Sequence, residues 1–364
     1  MTNKMLSILM GLLLLTTFSC SSDDDNNPSD PITIVIEGAD VAPEVGGPNE
    51  PNQVYVDLST NTTTAVQRDS WDLGFYSGAD FRVIINGSIF MATAQLSATD
   101  IDAVSSSDQE VIDLQPQVRV GSFEAESINF VDAPSGDITG TAIAEISDTE
   151  SNNKVYLLNL GNEIPTTVPA TGTVAVKGDA RGWKKIRILK DGDNYVLQFA
   201  DLDATTHQEV TISKRNDYNF TFFSFNTESE VSVEPMKSNW DLNFTEFTNE
   251  IEGYGAYSYS DFVVNNIKGN TTVYMIDTEI DTELTYDNFT LADVVDANFV
   301  YNDQRTIGSS WRVGGGPGTQ PSLKDNVFYI INDTDGNFYK LKFLALTNES
   351  GERGYPEFVY SLLQ

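Results

Sequence analysis

Very few side chains in this sequence could carry chemistry. Among 364 residues there is one histidine, His207, and one cysteine, Cys20. A single imidazole cannot serve a nucleophile in each of two similar halves, and no Gly-x-Ser-x-Gly elbow occurs. His207 lies in the polar stretch "DATTHQEV", the setting of a solvated imidazole rather than of a metal ligand. The glycine cluster Gly314–Gly318 is not a phosphate loop: no Gly-Lys-Ser/Thr follows it, and Pro317 removes an N–H that such a loop needs. "NDTDGN", from Asn332, lacks the distal bidentate glutamate of a calcium loop and reads as a hairpin turn. The 54 acidic residues show no local carboxylate-pair motif, so no enzyme is expected. What remains is aromatic and soft. "EGYGAYSYSDF" sets Tyr254, Tyr257 and Tyr259 among small residues, either as a loop that stacks on a flat ligand or as the tyrosines of an exposed hairpin. Met91 and Met275 sit in apolar runs, where core packing is the simpler role, Met236 lies near a turn, and Trp311 adds a further ring.

Cys20 has its own context. Lys4 and the apolar run Leu6–Phe18 have the form of a signal peptide over residues 1–19, too short to span a bilayer comfortably. The thiol follows a small residue at the end of that run, as in a bacterial lipobox, where it would be acylated; an ordinary leader with an incidental cysteine is the alternative. "SSDDDNNPSDP" then reads as an acidic tether over 20–31 and is similar to the signals that place lipoproteins on the outer face of the outer membrane. With no second cysteine there is no intrachain disulfide. The formal net charge of −33 excludes nucleic acid and polybasic lipid docking, and gives a very soluble surface.

Positioning any of these residues falls to β-structure. Short Val-, Ile-, Phe- and Tyr-rich runs such as "VYVDLS", "VYLLNLG", "FTFFSFN" and "VFYIIND" end in Gly, Asn or Asp, and no long amphipathic helix is present. The fold class is all-β and antiparallel. One strand is written twice, "DSWDLGFYSG" from Asp69 and "SNWDLNFTEF" from Ser238, with apolar residues on alternate positions. Its neighbours repeat as well: "YVDLSTNTTTAV" with "FFSFNTESEVSV", "DFRVIING" with "DFVVNNIKGN", the helix-start boxes "SATD" at Ser97 and "TLAD" at Thr290, and "KDGDNYVLQFADL" with "TDGNFYKLKFLAL". The expectation is two tandem β domains, 32–214 and 218–364, each with one or two short helices, the first longer by an insertion around 115–180.

The second unit, through "SNWDLNFTEF", "SSWRVGGGPGTQPSLKDNVFYIINDTDGNFYKLKFLAL" and "GERGYPEFVYSLL", resembles the HmuY family of haem-binding lipoproteins, with the first unit as a diverged copy. The resemblance implies a β-rich, lipid-anchored protein on the exterior of the outer membrane. Such a protein holds haem non-catalytically and passes it to a TonB-dependent outer-membrane receptor. It also implies two iron-clamping histidines, one at the place of Gly315 and one before Trp311, and this chain has neither. Where the family often has His-Arg-Tyr there stands Phe244-Thr245-Glu246-Phe247. If haem is the ligand, tyrosine phenolate or methionine thioether must ligate it, from Tyr254, Tyr257, Tyr259 or Met275. A ligand-free interaction or adhesion module and a glycan-binding surface lipoprotein are the alternatives.

Overall fold

The computed structural model describes residues 37–315 and 319–364; the leader (1–19), Cys20 and the tether (20–31) lie outside the described residues. Among the described residues, one α-helix, α1 (Gln109–Leu114), and a few 3-10 turns accompany twenty strands. The first sequence unit contributes β1 (Gly38–Val41), the hairpin β2 (Asn52–Asp57) and β3 (Thr62–Gln67), and the hairpin β4 (Leu73–Tyr76) and β5 (Val83–Ile85). It continues with β6 (Ala92–Gln95), β7 (Val155–Asn159), β8 (Trp183–Asp191), β9 (Asn194–Asp201) and β10 (Gln208–Ser213). The second contributes the hairpin β11 (Phe220–Ser224) and β12 (Ser229–Val231), the hairpin β13 (Leu242–Ile251) and β14 (Gly255–Asn265), and β15 (Thr272–Asp277). The small pair β16 (Arg312–Val313) and β17 (Ser322–Leu323) follows, then β18 (Val327–Asn332), β19 (Phe338–Thr347) and β20 (Arg353–Leu362).

The units do not each close their own sheets. Two four-stranded sheets run in the orders β14-β13-β2-β3 and β12-β11-β4-β5. In each, the first hairpin of one unit is received by the Trp-Asp-Leu hairpin of the other: Val56 pairs with Leu242, and Phe223 with Leu73. Of the five-stranded sheets, β1-β20-β19-β18-β15 takes its edge strand β1 from the first unit, whereas β10-β9-β8-β7-β6 is built from the first unit alone. The sequence boundary at 214–218 therefore separates two repeats whose leading strands are exchanged.

Alternation along the exchanged strands explains why they read as unbroken apolar runs. On β2, Val54 and Val56 point into a core shared with Leu242, Phe244, Tyr339 and Phe358, while Tyr55 points the other way. On β11, Phe223 enters a core with Phe75, Ile186 and Leu197, while Phe222 points to the opposite face, into a second buried cluster beside Trp71. Each exchanged strand is thus buried on both faces, as continuous hydrophobic strands generally are.

Three local expectations change. Thr290 and Asp293 form the capping box, but on a single 3-10 turn. At Ser97 no helix starts; its N–H and hydroxyl bond the Glu110 carboxylate, which sits on the only α-helix of the described residues. The two Asp-Gly turns also hold different places: Asp191–Asn194 joins β8 to β9, whereas Asp333–Asn337 lies between β18 and β19. In sheet order β18 stands where β7 stands, so those two turns are similar sequences one hairpin apart.

Candidate functional site

The repeated Trp-Asp-Leu is a clasp for the exchanged hairpin. Asp241 N–H donates to Val56 O (2.7 Å), and its Oδ2 accepts from Leu58 N–H (2.9 Å) at the end of β2. Asp72 does the same for the other hairpin, with Phe223 O (2.8 Å) and Phe225 N–H (2.7 Å). Each tryptophan meets the outward aromatic of the incoming strand edge-on: Trp240 with Tyr55 at 5.0 Å, Trp71 with Phe222 at 4.8 Å. Such a pair contributes about 0.5–1.5 kcal/mol beyond area burial. Asn86 and Asn266 lock the clasps from behind, donating to Trp71 O (2.8 Å) and Trp240 O (2.9 Å).

Where the two clasps meet they leave a cavity of about 190 Å³. Trp71, Trp240, Phe220, Phe222 and Ile138 give it apolar walls, and Asp132, Glu234, Glu246 and Lys268 bring charge to it. The insertion in the first unit supplies one side: Lys268 Nζ donates to Gly136 O (2.9 Å), and Gln304 Nε2 to Pro134 O (3.1 Å). Burial pushes the Asp132 carboxyl up to about 7, against backbone donors from Ala142 and Ile85 that pull it down. Burial likewise takes Glu234 to about 8, and it lowers Lys268 to about 8 despite Glu234 and Asp132 nearby. Glu246 is also raised by burial; its Oε1 accepts from Ser258 and its Oε2 has no partner.

A second feature lies on the surface at the β13–β14 hairpin. Tyr254 occupies its turn and is 57% exposed, while Tyr257 on β14 is 37% exposed. Tyr257 meets Tyr259 edge-on at 5.5 Å, and on its other side lies Phe123 at 5.5 Å, itself 58% exposed. Phe123 has φ +59°, a left-handed conformation that costs a bulky side chain energy and is often kept where a site needs it. The segment carrying it is pinned to the hairpin: Gly121 N–H donates to Ala256 O (2.9 Å), and Ala256 N–H to Ser127 Oγ (2.9 Å). Ordinary strand tyrosines thus become one wall of an aromatic rim built by both units.

The other candidates separate. Trp311 is fully buried, its ring stacked on Phe343 at 4.1 Å; it is core and has no face for a ligand, contrary to its place in the candidate set. Met275 is 42% exposed rather than packed, because β15 is an edge strand and cover ends there; Met91 is fully buried. His207 Nδ1 lies 2.9 Å from Asp102 Oδ1 in the connection before β10. Gly315 has no side chain, and the stretch before Trp311 is tied down by Val263–Gly308 pairing and the Arg305–Asp303 ion pair. The chain's single imidazole therefore does not fit a haem clamped between two histidines. Phe123 and Asp132 had no signal in the sequence beyond the length of the insertion, and Lys268, in the second unit, had none.

Residues 49–212 and 216–360 each match the family model described as HmuY protein, and the chain belongs to that family. No curated protein matches it. Among solved structures, the apo HmuY analog of Tannerella forsythia is 10% identical over 90% of this chain and 96% of its own, with a TM-score of 0.24. A Bacteroides vulgatus protein, provisionally named a HmuY-like heme binding protein, is 18% identical over 39% of this chain and 83% of its own, with a TM-score of 0.21. Apo PinO, from Porphyromonas gingivitis, is 15% identical over 49% of this chain and 94% of its own, with a TM-score of 0.22. At these scores none of their residues can be carried across.

Proposed function

We propose that this protein is a lipid-anchored, outer-membrane binding protein of the HmuY family that holds a planar, largely apolar ligand on its aromatic rim without catalysis. The observation that carries the reading is the cluster of exposed Phe123 and Tyr257 with half-buried Tyr259, and Tyr254 at the hairpin tip. Flat rings presented at a surface gain most from a flat partner. Family membership, together with the haem-binding description of a relative, makes haem the first ligand to try. A TonB-dependent outer-membrane receptor would then be the acceptor, and Cys20 the anchor, so that Cys20→Ser should release the protein from membrane fractions.

The test is a titration with ferric and ferrous haem, followed in the Soret region. Binding should give no bis-imidazole low-spin spectrum and should not change in His207→Ala. The double variant Phe123→Ala/Tyr257→Ala should bind about tenfold more weakly, from two ring contacts of roughly 0.5–1.5 kcal/mol each. A bis-imidazole spectrum lost in His207→Ala, or unchanged affinity in the double variant, would remove the rim from the reading. If no haem binds in either oxidation state, the interaction-module alternative takes its place.

A further inference from the structure

The cavity between the two clasps is separate from the rim and is built of different chemistry. Its volume, about 190 Å³, is below the roughly 300–1,000 Å³ of sites for drug-sized ligands, and it is too small for a porphyrin. It is large enough for a single ring, since an engineered apolar cavity of about 150 Å³ holds benzene.

Polar residues stand on its wall, but the protein itself engages them. Asn86 Nδ2 donates to Arg68 O (2.7 Å) and Trp71 O (2.8 Å), while its Oδ1 accepts from Ser88 N–H (3.0 Å). Asn266 repeats the arrangement in the second unit. Its Nδ2 donates to Lys237 O and Trp240 O, both at 2.9 Å, and its Oδ1 accepts from Gly269 N–H (2.9 Å) and Asn219 Nδ2 (3.0 Å). The two carboxyl oxygens of Asp132 accept backbone N–H groups of Ala142 (2.9 Å) and Ile85 (2.8 Å), and Glu234 Oε1 accepts from Phe220 N–H (2.8 Å). The unpartnered oxygens of Asn243, Glu246 and Asn265 are buried and present no surface to a ligand. A well-held water needs two to four polar partners, and displacing a poorly held one by an apolar group gains affinity. What faces the space is ring and aliphatic surface, from Trp71, Trp240, Phe220, Phe222, Ile84 and Ile138.

Charge is equally muted. Burial holds Asp132, Glu234 and Glu246 toward their neutral forms, and Arg68 and Arg312 already lie within charge range of Glu246. Burial also moves Lys268 toward its neutral form, and its Nζ is engaged by the Gly136 carbonyl. Asp137 has its value lowered by bonds from Thr139, but it is exposed. An ion of either sign would therefore lose its water without finding a free counter-charge, which is costly, whereas an uncharged ring loses nothing of the kind.

We infer that the junction cavity binds a small uncharged molecule with a body of about one aromatic ring, seated between the two clasp tryptophans. The site is a product of the tandem arrangement, since its walls come from both units and from the insertion.

Benzyl alcohol, benzylamine and benzoate, matched in size, test this on the full chain at about pH 7, by calorimetry and by tryptophan fluorescence. The alcohol should bind at least about tenfold more tightly than either ion. Ile138→Trp, at a half-buried place on the wall, should fill the space and weaken the alcohol at least about tenfold. Ile267→Trp, also half-buried on the wall, is the second variant if the first does not fold, and the ranking of probes on the native chain stands without either. The rim variant Phe123→Ala/Tyr257→Ala should leave the alcohol within about twofold, because the two sites share no wall. Binding of either ion as tightly as the alcohol, no binding of the alcohol, unchanged affinity in the filled variants, or a loss in the rim variant equal to theirs would each overturn the inference.

Discussion

The two clasps are alike in backbone and opposite in electrostatics. Asp72 and Asp241 both end an exchanged hairpin with the same pair of backbone hydrogen bonds. Asp72 also pairs with Arg181 at 2.6 Å, both side chains buried. Asp241 has no such cation. Its Oδ1 accepts from the Thr271 hydroxyl (3.1 Å) and Thr334 N–H (2.9 Å), and burial, with Asp333 and Asp57 adding repulsion, pushes it up to about 7. Arg181 comes from the long β7–β8 connection, whereas the corresponding β18–β19 connection is a tight turn that places Asp333 near the carboxyl. The motif's geometry is thus set by the exchange it serves, and its charge balance by whichever loop passes behind it.

The largest test of that view breaks the exchange itself. Cutting between Ser213 and Tyr218 leaves β4–β5 as a lone two-stranded ribbon and deprives β13 of β2 and β3, and such ribbons are marginal in water. Residues 218–364 alone should therefore show no cooperative melt by far-UV circular dichroism, and mixing with residues 37–213 should restore one. A native-like melt of the isolated fragment would break the comparison at its root.

Next in size is the difference between the two aspartates. Asp72→Asn strands Arg181 in a buried setting and should cost about 3–5 kcal/mol. Asp241→Asn leaves no cation behind and should cost about 1–3 kcal/mol, from one donor losing its acceptor. Denaturant melts of both variants at pH 7.5 give the order, and equal losses would mean the Arg181 pair contributes nothing distinctive.

A further test is in pH. Asp241, Asp132 and Glu234 have folded values above their unfolded ones, near 7, 7 and 8. The folded state holds their protons more tightly, so the associated stabilisation is complete below about pH 4 and is lost as pH rises through about 7 to 8. Each such group adds a slope of at most about 1.4 kcal/mol per pH unit in that window. The protein should be more stable at pH 5 than at pH 8, and Asp241→Asn should flatten part of the slope. A stability curve rising from pH 5 to pH 8 would contradict the burial of these carboxyls.

Much of this was legible in the order of residues, because it is local. Alternation gave strands, Asp-Gly gave hairpins, and the second Trp-Asp-Leu gave a repeat that the family match confirms. The absence of a bis-histidine clamp needed only a count. Partner choice was not legible. A period of two says which face of Tyr55 or Phe222 is buried, but not that the strand beside it belongs to the other unit, since pairing is fixed by contacts 150 or more positions apart in the sequence. Met275 looked like core until β15 proved to be an edge, and Trp311 looked available until Phe343 covered it. Phe123, Asp132 and Lys268 acquired neighbours only when the insertion crossed the hairpin junction. The sequence alone thus determined the elements, their duplication and the lack of a histidine pair, all properties of short segments or of composition. The tertiary structure alone decided the exchange of hairpins, the rim and the cavity, because each depends on burial between segments that only packing brings together.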